Sequence, residues 1–255
     1  MEIEVKNLSM SFEINGSHLP VLENISFSVA EGEFLTIIGP SGCGKSTILN
    51  ILAGFITPEI GAIYLDGQRV KNLQQVTAYM VQKDLLLPWR TVLSNTILAP
   101  ELRGEDIKRA REEASNLLEN FGLTGFLNSY PSELSGGMRQ RVALARTLMF
   151  KRPLLLLDEP FGALDAMTRF VLQNLLIKVW QKYKKTVIFV THDIDEALLL
   201  SDRIIVLSAR PARIKSIYTL KSERPRDLAS LVKLKKEIFD ELKEEMERVF
   251  SNGKI

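Results

Sequence analysis

The sequence has one cysteine among 255 residues, Cys43, and little excess of either charge. One cysteine excludes an intramolecular disulfide and any metal site built from several cysteines, and it fits a reducing compartment. The formal net charge is only +2, whereas proteins that depend mainly on nucleic-acid phosphates usually carry a stronger basic excess. No apolar run approaches the ~18 residues that a membrane-spanning helix needs. The first residues also lack the basic start and apolar segment of a signal peptide, so any membrane role is expected to depend on a partner.

The remaining composition is that of an ordinary globular protein, with 45% hydrophobic and 25% charged residues. Strand-like and helix-like patterns alternate along the chain, which predicts an α/β fold, with an antiparallel sheet formed by the N-terminal strands. We expect strands at 34–38, 61–65, 78–81, 153–157, 186–190, 203–207 and 214–220. We expect helices at 47–53, 92–121 with interruptions at Pro100 and Gly104, 138–150, 165–183 and 227–250.

One loop has the composition of a phosphate-binding site. It reads Gly39-Pro40-Ser41-Gly42-Cys43-Gly44-Lys45-Ser46 and lies between a predicted strand and a predicted helix. Its glycines allow successive backbone N–H groups to approach phosphate oxygens, and the helix dipole adds to the attraction. Lys45 would reach the β and γ phosphates, and the Ser46 hydroxyl would bind Mg²⁺. The segment is therefore a P-loop, which implies ATP or GTP.

Two residues near this loop have more than one interpretation. Cys43 is either a small apolar filler or a thiol whose pKa is lowered by the surrounding N–H donors, which would make it sensitive to alkylation. Phe12, in the N-terminal sheet, either packs in the core or stacks on a nucleotide base.

A second anion site is predicted at Leu134-Ser135-Gly136-Gly137. Ser135 can cap the helix that follows, and the two glycines leave the N-terminal N–H groups of that helix uncovered. A plain helix cap would explain the serine but not the glycines.

Polar residues follow two predicted core strands. Asp158 and Glu159 come directly after one strand and His192 follows the next. The carboxyl ends of parallel strands face a ligand crevice, where Asp158 can hold Mg²⁺ and Glu159 can polarise a water molecule. The alternatives are an acidic turn without function and a structural histidine.

An apolar segment, Leu85-Leu86-Leu87-Pro88-Trp89, is too irregular for a core strand. It is either a buried loop or an exposed docking surface. We predict that Trp89 and the leucines before it line a cleft, with Trp89 and Arg90 as anchors for a partner.

In order, these parts resemble the ATP-binding subunit of ABC transporters. Phe12 is similar to the aromatic that stacks on adenine, residues 39–46 with Thr47 to the Walker A loop, and Gln82 to the glutamine that senses Mg²⁺ and the attacking water. Residues 134–140 match the signature motif and 154–158 the Walker B strand. The resemblance implies that Glu159 is the catalytic glutamate, His192 the switch histidine, and Gly162 to Asp165 the D-loop.

The resemblance implies a P-loop NTPase (RecA-like) core with an antiparallel β subdomain and an inserted α-helical subdomain. The ATPase domain would span 1–220 with the helical insertion at about 83–151, followed by a C-terminal helical extension at 221–255. ATP and Mg²⁺ would bind catalytic residues Lys45, Gln82, Glu159 and His192, with Ser46, Gln82 and Asp158 at the metal. In a homodimer, Ser135, Gly136, Gly137 and Asp165 would complete the nucleotide site of the partner chain.

Three further motifs are similar to importers of nitrate, sulfonates, taurine and related solutes: 87–92, 191–197 and Ser208-Ala209-Arg210-Pro211. The implied partners are integral membrane permease subunits and, indirectly, an extracytoplasmic solute-binding protein. The implied location is the cytoplasmic face of the membrane, and no nucleic-acid partner is expected.

Other P-loop proteins are the alternatives. ATPases of repair and chromosome maintenance resemble the same domain but carry a long coiled coil between the Walker motifs, and those that act on ribosomes have two domains in tandem. A small-molecule kinase would not need Leu134 to Gly137.

Overall fold

The computed structural model describes residues 1–14, 16–224 and 226–251. The last four positions of the predicted C-terminal extension, 252–255, lie outside the described residues. Ten strands are described: β1 (Ile3–Ile14), β2 (Ser17–Val29), β3 (Phe34–Ile38), β4 (Ile60–Leu65), β5 (Gln68–Val70), β6 (Thr77–Met80), β7 (Leu154–Asp158), β8 (Thr186–Val190), β9 (Arg203–Leu207) and β10 (Ile214–Thr219). The described α-helices are α1 (Lys45–Leu52), α2 (Val92–Thr96), α3 (Leu98–Leu102), α4 (Ile107–Asn120), α5 (Gly136–Leu148), α6 (Ala166–Tyr183), α7 (Ile194–Leu200) and α8 (Val232–Ser251).

The strands form two sheets. The central sheet has the order β10-β9-β3-β8-β7-β6, and all its neighbours are parallel except the edge strand β10, which is antiparallel to β9. The second sheet has the order β2-β1-β4-β5 and is antiparallel. The predicted α/β fold with an N-terminal antiparallel sheet is confirmed.

The central sheet is apolar on both faces. Every residue of β3, β7 and β8 is buried. Since alternate side chains of a strand point to opposite faces, Leu154 and Leu156 pack with the antiparallel sheet and α1, whereas Leu155 and Leu157 pack with α5 and α6. This is why the strands read as continuous apolar runs rather than as alternating patterns.

The chain between β6 and β7 is helical. β6 and β7 are hydrogen-bonded neighbours, and α2 to α5 lie in the sequence between them. The predicted helix over 92–121 is in fact three helices, and Pro100 lies inside α3, where the first turn of a helix tolerates proline. The actual interruptions fall at Ile97 and at 103–106, so the interruption predicted at Gly104 is confirmed and the one at Pro100 is wrong.

Other boundaries also differ from the prediction. α1 begins at Lys45 and α5 at Gly136, each two residues early, because the first helical turn includes the residues predicted as loop. α8 begins at Val232 rather than Asp227, which instead caps a short 3₁₀ helix, Leu228–Leu231. β5 and α7 were not predicted.

α8 packs on the edge of the core through Ile238, which is fully buried with Ala197 and Leu198 of α7. Within the part of the chain that is described, no helix combines the length and apolarity needed to cross a membrane.

Candidate nucleotide site

The P-loop connects the central strand β3 to α1, and two of its glycines are required by close packing. A Cβ at Gly39 would lie 2.9 Å from Cys43 Sγ and 3.0 Å from Leu207 Cβ. A Cβ at Gly44 would lie 2.8 Å from Leu22 Cδ2, and its φ of +118° is unfavourable for other residues. The loop is therefore held tightly between β2 and the end of β9.

Lys45 and the start of α1 form the cationic part of the loop. The Lys45 ammonium donates hydrogen bonds to the carbonyls of Gly39 (2.8 Å) and Pro40 (2.9 Å), which hold it over the loop. The N-cap residue Gly44 has no side chain to satisfy the first N–H groups of α1. Those groups and the ammonium together make an anion-binding surface.

The cavity beside the P-loop has a volume of about 380 Å³. Phe12 lines it and also packs against the hydrophobic core, so both interpretations of Phe12 describe part of its environment. The lining residues come from β1, β2, the P-loop, the ends of β6 and β7, and the loop after β9: Phe12, Leu19, Val21, Ser41, Gly42, Gly44, Lys45, Ser46, Thr47, Gln82, Glu159 and Arg210.

Cys43 does not line this cavity and is only 1% exposed. Burial raises the pKa of its thiol, against the weaker opposing effects of Lys45 and backbone N–H groups. Of the two interpretations of Cys43, the apolar filler is therefore confirmed, and the alternative of a lowered pKa and an alkylation-sensitive thiol is wrong. Only its backbone is available to a ligand.

Asp158, at the end of β7, is a buried carboxylate with unused hydrogen-bonding capacity. Its Oδ1 is buried and has no hydrogen-bond partner among the described residues. Burial raises the pKa of this carboxyl, although a hydrogen bond from Ser46 opposes the shift. An unpaired carboxylate oxygen beside a serine hydroxyl fits a Mg²⁺ ion, which prefers oxygen ligands and completes its shell with water and phosphate oxygens.

The protein alone does not supply a full metal shell in the described residues, where no group of three or more His, Cys, Asp or Glu side chains could hold a metal ion. The Asp158 carboxylate and the Ser46 hydroxyl therefore suit an ion that is bound together with a nucleotide.

Glu159 lies between Gln82 and His192. Its Oε2 accepts a hydrogen bond from Gln82 Nε2 at 3.3 Å, and its Oε1 lies 3.2 Å from His192 Nδ1. The backbone of Glu159 has a φ of +47°, a strained value for a residue with a side chain. It is fixed by the hydrogen bond from its N–H to the Val190 carbonyl at 2.9 Å. The three predicted catalytic side chains that follow β6, β7 and β8 are thus brought together.

The second predicted anion site, at Ser135 to Gly137, does not border the P-loop cavity. The Ser135 hydroxyl caps α5 by accepting the Met138 N–H, and a Cβ at Gly137 would lie 3.2 Å from Leu164 Cδ2, next to the predicted D-loop. Asp165 caps α6 by accepting the Thr168 N–H at 2.9 Å. Among the described residues, those that line the P-loop cavity include none of Ser135, Gly136, Gly137 and Asp165.

Several contacts that the sequence did not predict connect α5, which begins at the second anion site, to the residues around the P-loop cavity. Arg139 pairs with Asp84 at 3.1 Å, and Arg146 donates to the carbonyls of Asp84 and Leu85. Gln140, buried in α5, donates to the Glu159 carbonyl at 3.4 Å. The one available signal was the helical spacing that places Arg139 and Arg146 on a common face of α5.

A second missed residue supports His192. Glu196 of α7 is 4% exposed and accepts a hydrogen bond from the Thr191 hydroxyl at 2.6 Å. Burial raises the pKa of this carboxyl. Because Thr191 directly precedes His192, this buried bond fixes the end of β8 from which His192 extends.

Trp89 lies on the surface, 71% exposed, so the buried-loop interpretation is wrong for this residue. It borders a groove of about 330 Å³ lined by Trp89, Arg90, Thr91, Ser94, Ile97, Glu101, Ile107, Arg111 and Tyr130. The prediction that the preceding leucines line the same cleft is wrong, since none of them borders it and Leu86 packs in the core with Val92. Arg90 is paired with Glu101 at 2.6 Å.

Comparison with known proteins identifies relatives over nearly the whole chain. The family described as "ABC transporter" matches residues 22–162. An uncharacterized ABC transporter ATP-binding protein of Methanocaldococcus jannaschii is 49% identical, over 96% of this chain and 93% of the relative. The aliphatic sulfonates import ATP-binding protein SsuB of Bacillus cereus is 43% identical, over 99% of this chain and 97% of the relative.

The taurine import ATP-binding protein TauB of Roseobacter denitrificans is 42% identical, over 86% of this chain and 82% of the relative. Among solved structures, the dimeric post-hydrolysis state of an ATP-binding cassette bound to ADP and Pi has a TM-score of 0.79 and 31% identity, covering 87% of this chain and all of that chain. The resemblance stated from the sequence motifs is confirmed.

Asp158 should destabilise the protein in the absence of nucleotide and metal. A raised pKa in the folded state means that its contribution to stability falls as pH rises from the unfolded toward the folded pKa and stays low above it. We therefore expect Asp158→Asn to raise the free energy of unfolding at pH 8 by about 1 kcal/mol in EDTA, with a smaller gain in acid. Urea titrations across pH measure this.

The matched control is Asp66→Asn, because backbone hydrogen bonding lowers the pKa of Asp66. The same chemical change should there reduce stability at pH 8. A loss of stability in both variants would contradict the interpretation of Asp158.

Proposed function

Since the chain belongs to the ABC transporter family, we propose that it is the ATP-hydrolysing subunit of an importer for sulfonates, taurine or a related small solute. The observation that carries the proposal is the Glu159 carboxylate, held between Gln82 and His192 at the P-loop cavity. The relatives named as aliphatic sulfonates and taurine import proteins support the solute class. They also favour transport over an ATPase that acts on nucleic acid or ribosomes.

The cavity suits ATP with its base toward Phe12 and its phosphates on the P-loop. Lys45 and the N-terminus of α1 neutralise the phosphate charge. Asp158 and Ser46, with Gln82 nearby, would hold Mg²⁺, which neutralises charge that develops on the phosphates when it is bound.

Glu159 acts as the general base or water-orienting group. Its carboxylate accepts the proton of the attacking water. His192 holds this carboxylate in place through Nδ1, and the His192 ring also faces the γ phosphate. Gln82 donates a hydrogen bond to the other carboxylate oxygen, so the orientation of Glu159 depends on both Gln82 and His192.

Hydrolysis requires two copies of the chain. The Ser135 helix start is an anion site that does not line the cavity of its own chain, so a second chain placed head to tail can close each cavity with it. The dimeric form of the similar ATP-binding cassette supports this arrangement.

The permease contact is proposed at the groove beside Trp89. An exposed tryptophan at the edge of a groove is a typical interface anchor. The Arg139–Asp84 pair links the segment that precedes Trp89 to α5, so a movement at the partner surface can reach the second anion site. The subunit would then work on the cytoplasmic face of the membrane, and a separate extracytoplasmic protein would select the solute.

Replacing Glu159 with Gln should slow hydrolysis strongly and leave ATP binding intact. General-base catalysis typically contributes about 10² to 10⁴ in rate, so turnover should fall by that factor. The variant should bind ATP with nearly unchanged affinity and accumulate as a dimer, which size-exclusion chromatography with ATP detects.

Lys45→Ala is the contrasting variant, because removal of the ammonium should abolish binding itself. A Glu159→Gln protein that remains monomeric with ATP, or that hydrolyses at the normal rate, would refute the role given to Glu159.

Trp89→Ala should uncouple hydrolysis from transport. If Trp89 is an interface anchor, its loss should weaken permease binding by about 2 kcal/mol or more while the ATPase rate of the isolated subunit stays the same. Uptake into proteoliposomes and pull-down of the permease measure the two effects. Tyr183→Ala, an exposed aromatic on α6 outside this groove, is the control. Normal uptake by the Trp89 variant would show that the groove is not the docking surface.

A further inference from the structure

One arginine on the wall of the nucleotide cavity has no role in the function described so far. Arg210 belongs to the loop between β9 and β10 and lines the cavity together with Phe12 and Lys45. Its side chain is exposed, and among the described residues its guanidinium forms neither a hydrogen bond nor an ion pair. The other cation of this wall, Lys45, is by contrast bound to two carbonyls.

The loop that carries Arg210 is fixed against the site. The Ala212 N–H donates to the Val21 carbonyl at 2.8 Å, and the Glu23 N–H donates to the Ala212 carbonyl at 2.9 Å. At the start of the loop, Leu207 packs so closely on Gly39 that a Cβ there would lie 3.0 Å from Leu207 Cβ. Arg210 is therefore held next to both the P-loop and the strand that supplies Val21 to the cavity.

The order of the central sheet decides which part of the nucleotide Arg210 can reach. β9 borders β3 on one side, whereas β8, β7 and β6 lie on the other. His192, Glu159 and Gln82 follow those three strands, so the γ-phosphate end of the site lies across the P-loop from Arg210. The portion of the nucleotide on the β9 side of the cavity is therefore the portion that ATP and ADP have in common.

We infer that Arg210 is a nucleotide-binding residue that contacts the shared base, ribose or α-phosphate portion of ATP and ADP, and that α8 positions it through Glu245. A guanidinium can serve there by stacking on the base or by donating to a phosphate oxygen. The inference rests on the proposed nucleotide site and adds a contact to it.

Glu245 supplies the connection to α8. It is 3% exposed, and its Oε2 accepts the N–H of Ala209, the residue before Arg210, at 3.0 Å. Its Oε1 lies 3.1 Å from Lys215 Nζ and 3.0 Å from an Arg248 nitrogen. The carboxylate is thus fully engaged in tying the loop to α8, and Glu245 is a positioning residue.

The test is calorimetric titration of the full chain with ATP and with ADP, both in EDTA to prevent hydrolysis. Arg210→Ala should lower the affinity for ATP and for ADP by the same factor, about tenfold. In ATPase assays with Mg²⁺ over a range of ATP concentrations, KM should rise while kcat stays the same. Arg213→Ala is the matched control, because Arg213 lies in the same loop, pairs with Glu23 and does not line the cavity. It should bind both ligands normally.

The positioning role is tested with a double-mutant cycle. Glu245→Ala should weaken ADP binding in the wild-type background but add little to Arg210→Ala, since it acts through that side chain. An equal loss of ADP affinity in both backgrounds would contradict this role.

The assignment of Arg210 itself would be overturned if Arg210→Ala and Arg213→Ala had equal nucleotide affinities, or if Arg210→Ala lost affinity for ATP alone. Lys45→Ala distinguishes failure of the proposed nucleotide site from failure of the Arg210 assignment. If Lys45→Ala binds nucleotide normally, the proposed site itself is wrong. If Lys45→Ala loses binding and Arg210→Ala does not, only the assignment of Arg210 is wrong.

Discussion

The structure depends on the burial of parallel strands on both faces. β3, β7 and β8 have no exposed residue, and the charged side chains that they carry or lead into lie where the strands end. The carboxyl ends of neighbouring parallel strands meet at one edge of the sheet. The P-loop, the Asp158–Glu159 pair and His192 are found there for that reason. Glu159 keeps its strained positive φ while its N–H donates a hydrogen bond to the Val190 carbonyl at the end of β8.

A second consequence is that the P-loop cavity and the second candidate anion site, at Ser135, are separate. α5 belongs to the helical segment between β6 and β7, so the Ser135 site is carried beside the sheet rather than over the P-loop of the same chain. Hydrogen bonds from Arg139, Arg146 and Gln140 connect α5 to the 84–85 segment and to the Glu159 backbone. These bonds give the helical segment a defined position relative to the site, which a loosely attached insertion would not have.

The fold and much of the site could be predicted from the sequence because they depend on local chemistry. Fully apolar runs indicate buried parallel strands, and glycines followed by Lys45 and Ser46 indicate a phosphate loop. The missed features depend on contacts between residues distant in sequence. Nothing local shows that Glu245 reaches the Ala209 N–H, that Glu196 supports Thr191, or that Leu86 turns into the core while Trp89 remains exposed. The two interpretations of Cys43 could not be separated locally for the same reason, since burial by distant residues outweighs the nearby N–H donors.

The central claim is that two chains share each reaction site, and mixing two inactive variants tests it most directly. Lys45→Ala lacks a working P-loop, and Ser135→Arg lacks a working signature helix, so each alone should be inactive. A mixed dimer would contain one intact site, formed by the P-loop of one chain and the Ser135 region of the other. ATP hydrolysis should therefore reappear on mixing, at about a quarter of the wild-type rate if chains pair at random. A mixture as inactive as its components, or an active Ser135→Arg protein on its own, would contradict the shared site.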